Sequence, residues 1–147
     1  MKKIALFLVL MTTLLSCSLD EPDRYNFYVL PIESYVMPST FKVGATHKIE
    51  LKYQKPTACY NYGGVYYIYG TGADSFTRTI GINANTKVGE VCAAVLPPLS
   101  DAYINFVPQE AGTFTFKFYK GKDENDADGD GNKDEDLFEV VAVVVTQ

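Results

Sequence analysis

The chain has no tryptophan, a single histidine and only three cysteines among its 147 residues. One histidine leaves little material for nucleophilic catalysis, and no nucleophile elbow or Cys–His signature accompanies it. Basic residues are also scarce: 13 Lys and Arg face 18 Asp and Glu, a formal charge of −5. A chain so short of positive charge lacks the face that nucleic-acid binding requires. Nor is any segment both long and apolar enough to span a bilayer as a helix. What is present is ordinary for a globular protein, with 47% hydrophobic and 21% charged residues, which excludes wholesale disorder. The length suits one domain.

The first sixteen residues read as a cleaved export signal rather than as part of that domain. Lys2 and Lys3 precede twelve residues without charge, Ile4 to Leu15. That run is too short for a ~30 Å hydrocarbon core but suits the apolar region of a signal peptide. It ends in Leu14-Leu15-Ser16-Cys17, which resembles the lipobox of bacterial lipoproteins. The resemblance implies lipidation at Cys17, and an anchor of several acyl chains is effectively permanent. Ser18 after the Cys and the acidic Asp20, Glu21 and Asp23 resemble the surface-export signal of Bacteroidota lipoproteins. It implies an outer-membrane or cell-surface location, with the membrane as partner through Cys17. Residues 17–24 then form an acidic tether, and residues 25–147 form the domain.

Loss of Lys2 and Lys3 leaves 11 basic against 18 acidic side chains, a net −7. Residues 123–136 alone hold eight acids and one Lys, also −7, so the remainder of the mature chain is neutral. All the net charge sits in one segment.

No stretch keeps a helical apolar period for three turns, whereas period-two alternation recurs. In His47 to Gln54, Ile49, Leu51 and Tyr53 share one face and Lys48, Glu50 and Lys52 the other. Gly64 to Gly70, Ser75 to Ile82, Val88 to Val95 and Ala102 to Val107 are further strand candidates. Arg78 sits awkwardly among Phe76, Ile80 and Ile82 in the second of these. Thr113 to Lys120 is the cleanest, with Phe114, Phe116 and Phe118 aligned. The Val-rich run Phe138 to Thr146 suits a strand covered on both faces or a helix segment, and β-branching favours the strand. Tyr25 to Met37 adds an edge strand broken at Pro31. Seven or eight short strands with frequent turns predict an all-β, antiparallel sandwich.

Glu110-Ala111-Gly112-Thr113-Phe114-Thr115-Phe116 resembles the corner before the penultimate strand of immunoglobulin-like domains. Phe114 stands where that family has the corner Tyr, and Phe116 where it has a bridging Cys. More broadly, residues 38–147 resemble small immunoglobulin-like lipoproteins of flavobacteria. The resemblance implies a fold and a location and no activity.

Several constellations invite chemistry. Once Cys17 is lipidated, Cys59 and Cys92 remain, and an even pair in an exported protein predicts a disulfide, with two buried thiols as the alternative. His47 reads as a polar residue at the start of a strand. Outside the acidic segment, carboxylates fall on strand exteriors and turns, so no desolvated pair for glycoside hydrolysis stands out. Five tyrosines crowd between Tyr60 and Tyr69, and Tyr66 and Tyr67 are candidate stacking residues for a sugar, although such platforms favour Trp. In the acidic loop 121–136, Asp126, Asp128, Asp130 and Gly131 fit the opening of a calcium loop. Asn132 and Asp134 continue that pattern, while Leu137 stands where it expects a bidentate Glu. A calcium ion held there is expected to bind only in the ~10⁻⁴–10⁻³ M range. The sequence thus predicts a lipid-anchored, non-enzymatic binding or structural domain serving a surface protein or glycan, with calcium stabilisation and carbohydrate binding as alternatives and a hydrolase less favoured.

Overall fold

The structure is a computed structural model that describes residues 22–123 and 135–147. In chain order the strands are β1 (Tyr25–Leu30), β2 (Ile32–Val36), β3 (Phe41–Lys42), β4 (His47–Tyr53), β5 (Asn61–Tyr69), β6 (Thr77–Lys87), β7 (Ser100–Phe106), β8 (Gly112–Lys122) and β9 (Asp136–Thr146). They form an all-β sandwich of two packed sheets. The larger runs β1-β6-β8-β9-β3 with β5 also on β6, and the smaller runs β2-β4-β7.

Alternation explains most of these elements. In β4, Ile49, Leu51 and Tyr53 are buried while Lys48, Glu50 and Lys52 stay outside. In β8, Phe114, Phe116 and Phe118 are all buried, and they share one core cluster with Ile49, Leu51, Ile80 and Ile82. Phe106 of β7 meets the rings of Phe114 and Phe116 edge-on, each at 5.1 Å between centroids. Such edge-to-face contacts add to the area each ring removes from water.

Pro31 divides the first strand as expected, and the division changes sheets. β1 pairs with β6, whereas β2 pairs with β4. Proline supplies no N–H to either ladder, so it suits the crossing point. Lys120 Nζ then ties the crossing down by donating to the carbonyls of Ile32 (2.7 Å) and Glu33 (3.2 Å).

Two pairings are parallel, β6 with β8 and β3 with β9, so the larger sheet is mixed rather than antiparallel throughout. Parallel neighbours need a crossover connection, and β7 in the opposite sheet supplies it between β6 and β8. An immunoglobulin domain has antiparallel neighbours on both sides of its penultimate strand. Here β8 has β9 antiparallel and β6 parallel, and the sandwich departs from that layout at this strand.

One edge of β6 is shared. Thr77 to Ile80 pair with β8, and Ile82 to Lys87 pair with β1. Gly81 lies at the handover, where an added Cβ would stand 2.7 Å from Val29 Cγ1. A side chain there would require the Val29 side chain to shift.

The expected strand Val88 to Val95 does not form. Residues 88–99 lie outside the strands, and β6 itself continues to Lys87. The apolar residues of that run do not alternate with polar ones, so neither face could be buried; Val91 is 96% exposed. The C-terminal run is a strand, but it is not covered on both faces. Val145 is buried, while Val140 and Val144 point outward and are exposed.

Truncating the central ring should cost most. Phe116→Ala is expected to lower the unfolding free energy by about 3–5 kcal/mol, against under about 0.5 kcal/mol for Val140→Ala on the outer face. Urea denaturation of the two variants checks the contrast, and a loss below about 1 kcal/mol at Phe116 would contradict this core assignment.

Candidate functional site

Cys59 and Cys92 form a disulfide with Cα atoms 5.8 Å apart. It joins the loop after β4 to the loop after β6, both outside the sheets, and not the two sheets across the core. The Glu90 carboxylate lies within 4.8 Å of both sulfurs, but the bond occupies the two atoms that would bind a metal.

His47 opens β4, as the sequence reading places it. Its Nε2 accepts the Lys42 N–H at 2.9 Å, and its ring packs against Phe41 at 4.8 Å. The imidazole therefore closes the turn between β3 and β4. Exposed carboxylates nearby pair with lysines, Lys48 with Glu50 (2.8 Å) and Lys52 with Asp101 (2.7 Å), contacts worth little at a solvated surface. The candidate calcium ligands Asp126, Asp128, Asp130, Asn132 and Asp134, like Cys17, lie outside the described residues. At the base of that loop the Asp123 N–H donates to the Glu135 carbonyl at 2.9 Å.

The tyrosine cluster separates into two faces. Tyr66 and Tyr67 are consecutive in β5, so their side chains point to opposite sides of the sheet. Tyr66 lines a shallow aromatic depression with Phe27, Tyr28, Tyr119 and Phe138. Tyr67 and Tyr69 line a different cleft, of about 540 Å³, between the two sheets. The sequence reading treats Tyr66 and Tyr67 as one platform, and the structure does not bring them together.

The cleft gathers residues from four strand ends. Tyr67 and Tyr69 come from the end of β5, Arg78 from the start of β6, Asn105 from the end of β7, and Phe114 from the start of β8. Gln109 and Glu110 reach it from the β7–β8 connection. Arg78 pairs with Tyr69 across the β5–β6 ladder. Its guanidinium lies over the Tyr69 ring at 4.7 Å and over the Phe114 ring at 5.0 Å, where ring quadrupoles attract a cation. Nη1 donates to the carbonyls of Ser75 (2.6 Å) and Thr77 (2.8 Å). Nε is buried with no hydrogen-bond partner. Among the described residues Arg78 forms no ion pair.

Sequence reasoning missed Arg78 as a site residue. The available signal was a charge on the same strand face as Ile80, Ile82 and Ala84, which demands either burial with partners or a ligand. Compared with known protein families, curated proteins and solved structures, the chain matches none.

Burial of Tyr67 pushes its phenol up to about 12, against a smaller opposing pull from Arg78. A tyrosine whose ionisation is raised in the folded state contributes stability below its ordinary value of 10.0. That contribution is lost as pH climbs from there toward 12, because the unfolded chain releases its proton first. The melting temperature should therefore fall across this window, and Tyr67→Phe should flatten the fall. A variant that melts with the same alkaline slope as the wild type would remove Tyr67 as its cause.

Proposed function

We propose that the protein is an outer-membrane or cell-surface lipoprotein whose sandwich acts as a non-enzymatic binding module. Cys17 holds it to the membrane, and the Tyr67–Arg78 cleft meets the ligand. The observation that carries this reading is the placement of chain entry and cleft at opposite ends of β6. Tyr25 pairs with Lys87 at one end of that strand, and Tyr69 pairs with Arg78 near the other. Asp23 binds Lys87 at 2.6 Å, and the Val88 N–H donates to the Arg24 carbonyl at 2.9 Å, which fixes the entering chain there. Nine residues of extended strand separate the two ends by roughly 30 Å. A domain tethered just ahead of Pro22 would thus present the cleft away from the bilayer.

The binding role fits the chemistry of the cleft. Aromatic faces, amide side chains and one cation converge there, the mixture typical of ligand pockets of this size. The carbohydrate reading is favoured over a purely structural role by Tyr69, a residue 65% exposed that lines the cleft.

Replacing Cys17 by Ala should move the protein from the membrane to the soluble fraction. Sedimentation of that variant with membranes after a high-salt wash would refute the anchor. Native protein in which Cys17 reacts with a thiol reagent would refute it equally.

A further inference from the structure

We infer that the Arg78 cleft is a carboxylate-binding site for an acidic sugar, a hexuronate residue within a glycan. The inference deepens the binding-module reading and rests on it, but it does not depend on the lipid anchor.

The guanidinium of Arg78 has one edge whose hydrogen-bonding capacity is not filled. Nη1 is committed to the Ser75 and Thr77 carbonyls. The Nε–H and the neighbouring Nη2–H form the other edge; the Tyr67 hydroxyl hydrogen-bonds to the guanidinium, and Nε is buried with no partner. Leaving a buried donor unmade is costly, and a ligand that fills it recovers that cost. Two parallel N–H groups on one edge match the two oxygens of a carboxylate, the bidentate geometry in which arginine surpasses lysine.

Charge balance points the same way. No carboxylate of the described residues pairs with Arg78, so its charge is met only by neutral groups, two backbone carbonyls, the Tyr67 hydroxyl and two aromatic faces. The exposed Tyr69 ring covers the guanidinium at 4.7 Å. Its other face is open to a sugar ring stacked against it.

The remaining polar groups select the scaffold that carries the carboxylate. Asn105, Gln109 and Glu110 line the same cleft. Gln109 Nε2 is held by the Val107 carbonyl at 3.2 Å, which leaves its amide oxygen to accept. Glu110 would repel a bare polyanion but accepts hydrogen bonds from hydroxyl groups. A sugar acid satisfies both ends, with its carboxylate on Arg78 and its hydroxyls on the amides and Glu110. Sulfate and phosphate satisfy only one, and they carry no apolar face for Tyr69.

The test uses the full mature chain in detergent, with tri-glucuronate and its neutral methyl ester as probes in calorimetric titrations. Tri-glucuronate should bind at least about tenfold more tightly than the ester, which keeps the rings and hydroxyls but loses the charge. Arg78→Lys retains the charge without the fork and should erase about tenfold of the acid's affinity, with the ester unaffected. Tyr69→Ala, at an exposed position that leaves the core intact, should weaken both probes. Equal affinity for acid and ester would overturn the carboxylate assignment while leaving a neutral-glycan module standing. Inorganic sulfate competing as well as glucuronate, or an acidic tripeptide binding more tightly, would overturn the sugar-acid assignment. Absence of binding by every probe at millimolar concentration would overturn this inference together with the binding reading, leaving the anchor to be judged by membrane fractionation alone.

Discussion

The row of Phe114, Phe116 and Phe118 along one face of β8 is the constraint on which the rest of the molecule depends. These rings are buried, and β8 is the strand on which β6 and β9 both pair. Tyr35 of the smaller sheet stacks on Phe118 with centroids 4.0 Å apart, and Phe106 closes on Phe114 and Phe116. The two sheets are therefore joined through aromatic contacts along one strand. No disulfide spans the core at this strand, where Phe116 is fully buried; the Cys59–Cys92 bond lies in the loops.

That row also builds the site. Phe114 is at once the last ring of the core and part of the cleft wall, meeting Phe76 edge-on at 4.8 Å and Arg78 face-on. The guanidinium is consequently packed against the end of the core rather than hung in solvent. Its position is set by the parallel pairing of β6 with β8, in which Arg78 stands opposite Phe116. Antiparallel pairing at this point would have reversed β6 and carried Arg78 to the other end of the sheet. The mixed topology is thus what places a cation between the sheets.

Much of this was legible in the sequence, and the failures share a cause. β4 and β8 announce themselves because one face is apolar and the other polar, so alternation records burial directly. The break at Pro31 and the pairing of Cys59 with Cys92 follow from backbone chemistry and from cysteine number. Val88 to Val95 misled because it is apolar without being buried; composition alone imitates a strand. Parallel pairing left no local trace, since register between distant strands is a property of the crossover and not of either strand. Tyr66 and Tyr67 were adjacent in sequence and therefore opposed in space, while the cleft around Arg78 is completed by Asn105 and Phe114, 27 and 36 positions away.

The central claim is that the cleft faces away from the anchored end. The absence of tryptophan makes a direct measurement straightforward. Two variants of the lipidated protein, Tyr69→Trp at the cleft and Val91→Trp in the loop after β6, can be placed separately in vesicles containing spin-labelled lipid. The account predicts that Trp at position 69 is quenched by aqueous acrylamide and untouched by the lipid label, whereas Trp at position 91 responds to the label. Stronger lipid quenching at position 69 than at position 91 would contradict it.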